Sequence, residues 1–331
     1  MELKLSRQTF YSKFFYFLIL IFLMPKLVLA QDKELPARAK ANDANGDGVL
    51  QKEETKYHVK ANFEKIDCDK SNALDGEEIR NFLNGLACGQ KLSDDVIPYA
   101  KKYPNGPGPF PVIVSLHSSG GFSSSNIIIE NYKSKKWIKA GYAWYAPNFF
   151  AKHGITTATR MDTFNKYRKK IEIDLSKIIK LIKSDPKIDS KNIFAIGFSN
   201  GGFWATFLAG KGLVTAGSSH YGVWKACFGR GNCLHSYPMD YLSSISNPIL
   251  ALHGAKDRTQ RIKFFKKAWQ KIKDTPQIEK HVYKNGGHVW DCFPDITRLK
   301  KICNKKFDGS SREITDDAFN RSLAFFKKHT K

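Results

Sequence analysis

Asn192-Ile193-Phe194-Ala195-Ile196-Gly197-Phe198-Ser199-Asn200-Gly201-Gly202-Phe203-Trp204-Ala205 is the stretch that decides the fold of this chain. Up to Ile196 it is a short apolar run bounded by polar residues, as expected of a buried strand. From Gly202 to Ala209 the composition is that of a packed helix. Gly-x-Ser-x-Gly lies between them at Gly197–Gly201. Glycines flank Ser199 because a turn this sharp strains the backbone and brings it close to its neighbours, where a β-carbon would obstruct. The turn raises the Ser199 hydroxyl clear of the sheet. It also leaves the Asn200 N–H at a helix start, where it can face developing negative charge.

Downstream, the chain supplies partners for a nucleophilic serine in a fixed order. Pro248–Leu252 is expected to be a strand, and it leads into His253-Gly254-Ala255-Lys256-Asp257. A helical pattern follows over Ile262–Ile272, then a strand at about 279–284, then Asn285-Gly286-Gly287-His288-Val289-Trp290. Asp257 and His288 thus each fall in a loop beyond a strand's C-terminal end. His288 is the candidate base, with Gly286 and Gly287 expected to let its loop approach the serine turn. Asp257 is the candidate carboxylate that orients the imidazole. Trp290, two residues on, is the candidate pocket residue. A second oxyanion donor is expected from the loop after the strand at 111–117, at Ser118 or Ser119, with Ser118 the choice.

From about Pro111 onward the chain resembles the α/β-hydrolase superfamily. The runs Ile188–Gly202 and Gly286–Trp290 are most similar to its secreted polyhydroxybutyrate depolymerase, feruloyl esterase and dienelactone-hydrolase-like branch. Ser118 departs from the usual His-Gly at that position. The resemblance implies a serine carboxylic-ester hydrolase, working through an acyl-enzyme on an ester that can be polymeric, with no organic cofactor. A serine peptidase or amidase on the same residues, and a calcium-dependent binding protein on an inactive scaffold, are the alternatives.

A different motif precedes this part. Asp43, Asn45, Asp47, the Val49 carbonyl, Gln51 and Glu54 occupy the ligand positions of a twelve-residue EF-hand loop, with Gly48 at the sharp turn. Asp67, Asp69, Ser71, the Ala73 carbonyl, Asp75 and Glu78 repeat the pattern, with Asn72 in place of the turn glycine. Asn tolerates the left-handed backbone better than most residues. The loops are closely spaced, as in the compact EF-hand pairs of secreted bacterial proteins. Leu50 and Leu74 are expected to face each other, and the expected ligand is structural calcium.

Lys4, Arg7 and Lys13, the apolar run Phe14–Met24 and Val28-Leu29-Ala30 read as a signal peptide cleaved near Ala30. The mature protein is then expected to be secreted or periplasmic, with no transmembrane segment. Six cysteines accord with an oxidising compartment, and the expected bridges are Cys68–Cys88, Cys227–Cys233 and Cys292–Cys303. The formal net charge is +23, and the segment after residue 90 carries an excess of that size by itself. Such a domain suits an anionic surface or polymer. No nucleic-acid motif accompanies the charge. The expected organisation is signal peptide 1–30, EF-hand pair 31–89, linker 90–110 and a hydrolase domain 111–331. Strands at 111–117, 141–146, 192–197, 214–219, 248–252 and 279–284 alternate with helices. That predicts a mostly parallel sheet covered on both faces.

Overall fold

The computed structural model describes residues 33–83, 88, 97–122, 124–228, 232–233, 240, 245–270, 277–291 and 312–331. The expected signal peptide and the expected Cys292–Cys303 bridge lie outside them. The chain divides into two compact units, Met1–Lys91 and Leu92–Lys331.

In the first unit, short helices α1 (Ala37–Lys40), α2 (Tyr57–Ala61), α3 (Phe63–Ile66) and α4 (Gly76–Leu83) surround two acidic loops. Strands β1 (Leu50–Gln51) and β2 (Ala73–Leu74) join the loops antiparallel, with Leu50 opposite Leu74 as expected. Those leucines pack with Leu35, Phe63, Ile66 and Ile79 into a small core. A core of this size gives little stability alone, and the Cys68–Cys88 disulfide adds a covalent tie.

The second unit is built on a seven-stranded sheet. Its strands are β3 (Tyr99–Lys102), β4 (Phe110–Leu116), β5 (Ala143–Pro147), β6 (Ile188–Phe198), β7 (Ala216–His220), β10 (Ile249–Gly254) and β11 (Ile278–Tyr283), interrupted in chain order by the hairpin β8 (Cys227–Phe228) and β9 (Asn232–Cys233). The spatial order is β11-β10-β7-β6-β4-β5-β3. All neighbours are parallel except β3, which runs antiparallel to β5. A sheet buried on both faces needs apolar residues on both, which explains the apolar runs Phe110–Val114 in β4 and Ile193–Phe198 in β6. On one face α6 (Arg168–Ser184), α7 (Asn200–Gly210) and α8 (Ile262–Gln270) cover Val112, Val114, Ile193 and Ala195. On the other, α5 (Ser124–Lys139) and α9 (Arg312–Lys328) cover Ile113, Phe194, Ile196 and Leu250 through Trp137, Phe325 and Phe326. Helix α7 is buried along its whole length, which accounts for its lack of a polar face.

The start of the sheet differs from expectation. Residues 99–102, assigned to the linker, form the edge strand β3. Four residues flanked by Pro98 and Pro104, and ending in exposed lysines, carry no strand periodicity. Pairing with β5 and the anchoring of Tyr103 supply what the local sequence lacks. The Tyr103 and Tyr145 hydroxyls both donate to Asp185 Oδ2. Burial pushes that carboxyl up, but the two hydroxyls outweigh burial and hold it down at about 2.

The chain leaves β4 for β5 on one side, then returns to β6 on the other side of β4. The C-terminal ends of β4 and β6 are therefore the point where strand order reverses, where an open α/β sheet forms its crevice.

Candidate active site

Ser199 sits at that point, one residue past β6 and one before α7. Its φ of 53° and ψ of −108° are strained for a non-glycine residue, at a cost of about 1–3 kcal/mol. The surroundings hold the strain in place. Ser199 N–H donates to His220 O (3.0 Å), while Ser199 O accepts from Gly202 N–H and Val223 N–H (both 3.0 Å). A β-carbon on Gly201 would lie 2.0 Å from Leu116 O, and one on Gly197 would lie 1.9 Å from Gly201 O. Both glycines are therefore required by close approach, as expected.

Ser199 Oγ lies 2.9 Å from His288 Nε2, and His288 Nδ1 lies 2.8 Å from Asp257 Oδ2. A carboxylate only accepts, so the His288 proton is on Nδ1 and Nε2 is free to accept from the serine hydroxyl. Asp257 is buried, and its second oxygen accepts from Thr259 N–H (2.8 Å) and Gln260 N–H (2.7 Å). Serine, histidine and aspartate from three loops are thus joined in one hydrogen-bonded chain.

The histidine loop reaches the serine turn as expected, with His288 Nε2 2.9 Å from Ser199 Oγ, and Gly286 makes a contact of its own. It packs against Gly254 in the aspartate loop, where Lys256 N–H donates to Gly286 O (2.9 Å). The contact therefore sets the spacing between His288 and Asp257.

The proposed oxyanion donors flank one junction. Gly201 N–H donates to His117 O (3.1 Å), which brings the loop beginning at Ser118 against the first turn of α7. The Asn200 side chain is taken up elsewhere: its Nδ2 donates to Thr163 Oγ1 (3.0 Å) and Arg160 O (3.3 Å). Its backbone N–H, at the first helical position, belongs to the group that helix geometry leaves without an intrahelical acceptor.

Trp290 is placed differently from expectation. It is fully buried and packs edge-on against Tyr221 (4.8 Å between ring centroids), with Tyr283 at 5.2 Å. A small cleft opens at Phe198 and His220, with Lys133, Trp137, Asp291 and Phe319 around it; Trp290 does not line it. An indole so large and apolar stabilises more inside the core than on an open wall.

Several further residues support the site. The Tyr221 hydroxyl donates to Asp291 Oδ2 (2.7 Å), and the edge of its ring meets His288 at 5.1 Å between centroids. Lys133 Nζ is 3.2 Å from Asp291 and 3.7 Å from Glu130, and lies over the Phe198 ring. Burial pushes the Glu130 carboxyl up, against the opposing pull of Lys133 and Ser115. Burial likewise pushes the Tyr221 hydroxyl well up, helped by Asp291. His253 is buried between Gln260 O, which accepts from its Nε2 (2.8 Å), and Trp224 Nε1, which donates to its Nδ1 (3.3 Å). Such contacts join residues far apart in sequence, and no local spacing announces them.

The profile of the dienelactone hydrolase family matches residues 99–330, from the edge strand β3 to the end of the last helix. This chain belongs to the dienelactone hydrolase family. It is accordingly an enzyme of hydrolase type on an α/β-hydrolase fold. Among solved structures it resembles a protein assigned as a dienelactone hydrolase from Klebsiella pneumoniae subsp. pneumoniae MGH 78578. The TM-score is 0.54 at 17% identity, over 70% of this chain and 93% of that one. It also resembles a dienelactone hydrolase-like promiscuous phosphotriesterase from metagenomic libraries, with TM-score 0.50 and 15% identity over 70% of this chain and 99% of that one. A Pyrococcus horikoshii acylaminoacyl peptidase gives TM-score 0.51 at 16% identity over 70% of this chain, but only 39% of the peptidase. At such identities the likeness is one of fold. No curated protein matches the sequence.

The first unit holds the other chemically suggestive groups. Asp67, Asp69 and Glu78 bring carboxylate oxygens within 4.8 Å of one another. Carboxylates gathered this closely could hold a metal ion. The two loops close alike. Glu54 accepts from Ala44 and Gln51 N–H, and Glu78 accepts from Cys68 and Asp75 N–H. Asp43 accepts from Gly46 and Gly48 N–H, while Asp67 accepts from Ser71 and Asn72 N–H. Gly48 and Asn72 share a left-handed backbone, with φ of 84° and 61°.

Proposed function

We propose that the protein is an exported serine carboxylic-ester hydrolase carrying a calcium-binding EF-hand pair. The observation that carries the catalytic reading is the unbroken Ser199–His288–Asp257 hydrogen-bonded chain. Ser199 Oγ attacks the ester carbonyl carbon as His288 Nε2 takes its proton. Asp257 holds the imidazole and stabilises the imidazolium. The oxyanion is received by the backbone N–H groups of Asn200 and Ser118. Collapse expels the alcohol, which takes the proton from His288 and leaves an acyl-enzyme on Ser199. Water, deprotonated at the same nitrogen, releases the acid and restores the serine.

Hydrolysis of short and long p-nitrophenyl esters by the mature protein, beside Ser199→Ala, tests this. Loss of about 10⁴-fold or more in the variant is expected, and the chain-length profile reports the acyl pocket. Turnover that survives in Ser199→Ala would refute the serine mechanism.

Calcium is assigned to the two acidic loops. Asp43, Asn45, Asp47, Val49, Gln51 and Glu54 would hold one ion, and Asp67, Asp69, Ser71, Ala73, Asp75 and Glu78 the other. The mutual approach of Asp67, Asp69 and Glu78 supports the second site. Calcium titration by calorimetry is expected to show two sites, with Glu78→Gln losing one; a featureless titration argues for solvated acidic turns. Export is supported by the leader-like N-terminus and the Cys68–Cys88 bridge. The N-terminal sequence of the secreted protein, expected to start at Gln31, checks it. Lys256, Arg258, Arg261 and Lys263 around a depression beside Asp257 support preference for anionic polymers or surfaces.

A further inference from the structure

Behind the triad a second chain of hydrogen bonds joins its two ends. Gln260 is 2% exposed and makes five hydrogen bonds within the hydrolase unit. Its backbone N–H donates to Asp257 Oδ1 (2.7 Å), and its carbonyl accepts from His253 Nε2 (2.8 Å). Its side-chain Oε1 accepts from Trp224 N–H (2.9 Å) and Lys225 N–H (3.0 Å), and Nε2 donates to Lys225 O (2.8 Å). One residue earlier, Val223 N–H donates to Ser199 O (3.0 Å). The path therefore closes on itself, from Ser199 through His288, Asp257 and Gln260 to the 223–225 segment and back to Ser199.

We propose that Gln260 is a positioning residue that sets the separation of the nucleophile and the acid. The proposal rests on the serine-hydrolase reading above. A primary amide suits this place because the 224–225 segment offers two N–H groups and one carbonyl, and a glutamine side chain answers both kinds. Burial makes the match consequential: a buried amide group deprived of its partner must be hydrated or moved. His253 supports the same bend. Its imidazole is held neutral by burial, lies flat against Phe265 at 4.8 Å, and links the start of the aspartate loop to both Gln260 and Trp224. The side chain of Gln260 touches no reacting atom in this arrangement. Its effect passes through the loop that carries Asp257 and the segment bonded to Ser199.

Gln260→Met keeps the side-chain length and removes all three side-chain bonds, while the backbone bond to Asp257 stays available. For the full chain, the expected result is a 10- to 100-fold fall in kcat, the scale of a misplacement of about an ångström. KM is expected to stay within about twofold, and inactivation by a serine-directed phosphonate to slow in parallel. In an Asp257→Asn background, where orientation by the carboxylate is already lost, the same substitution is expected to cost less than about threefold, because coupled residues are not additive. Gln260→Glu retains the two acceptor bonds, and a carboxyl kept protonated in this buried place can still donate to Lys225 O, so a smaller fall in kcat is expected.

A wild-type kcat in Gln260→Met, or the same fold-loss in both backgrounds, would overturn the proposal and leave Gln260 a packing residue. Failure of both Gln260 variants to fold assigns it a structural role and overturns it equally. A wild type that does not depend on Ser199 removes the underlying reading as well. A Ser199-dependent wild type with an indifferent Gln260 removes only this inference.

Discussion

Gly254 and Gly286 touch backbone to backbone across the two loops that carry Asp257 and His288. A β-carbon on Gly254 would fall 2.3 Å from Gly286 O and 2.6 Å from Gly287 O. No rotamer relieves such an overlap, because the obstructing atoms are main chain. Parallel pairing of β10 and β11 sets Gly254 beside Tyr283, and the turn after Tyr283 then folds back over Gly254. The 2.8 Å contact between Asp257 and His288 follows from that close approach.

Gly254→Ala is therefore expected to push the histidine loop away from the aspartate loop. The overpacking should cost about 1–3 kcal/mol, and kcat/KM should fall by more than about tenfold through the lost geometry. Urea denaturation and ester kinetics check the two effects; an unchanged kcat would show that the contact does not control the triad.

Asp257→Asn should lower kcat by about 10⁴-fold without unfolding the protein. An amide can turn its N–H₂ toward His288 Nδ1, which favours the tautomer protonated at Nε2 and leaves Ser199 no base. Circular dichroism beside p-nitrophenyl ester hydrolysis measures both. Loss of less than about tenfold would assign the orienting carboxylate elsewhere.

Lys133 carries the compensating charge for two buried acids. Its side chain is 10% exposed, and those of Glu130 and Asp291 are 10% and 9% exposed. Lys133→Met should destabilise the fold by about 3–5 kcal/mol, the cost of leaving buried charge unpaired. Adding Asp291→Asn should restore part of the loss. Denaturant melts of the single and double variants decide it, and additive losses would argue against the pairing.

Stability should fall on mild acidification. Burial pushes His117, His220 and His253 each down to about 4, from an ordinary value of 6.5. Between those values the unfolded chain binds protons that the folded one refuses, so acid favours unfolding. The stabilisation is fully present above about 6.5 and declines toward 4. Thermal melts at pH 7.5, 6, 5 and about 4.5 should show a Tm that drops steadily below pH 6.5. A flat profile would mean that these imidazoles take up protons without unfolding.

Much of the site was legible in the chain because each part is a local event. The serine turn requires glycines within a few residues, and its strand and helix announce themselves by apolar run and packing composition. Asp257 and His288 each follow a strand, so a parallel sheet brings both to one edge. The acidic loops are local too, since each twelve-residue turn draws its carboxylates from its own sequence. The edge strand β3 was not legible, because its four residues gain strand character only from β5 and from Tyr103 binding Asp185.

By itself, the sequence determined the order of the catalytic candidates, the sheet class and the two loop motifs, all set by short-range sterics and periodicity. Tertiary structure decided the rest. It turned Trp290 into the core, placed Gly286 against Gly254, set Lys133 between two acids and made Gln260 a link between Asp257 and the 223–225 segment. Each of these joins a residue to partners on another element, often many positions away. The hydrogen bonds and contacts involved exist only once the sheet has ordered its strands and brought their loops to one edge.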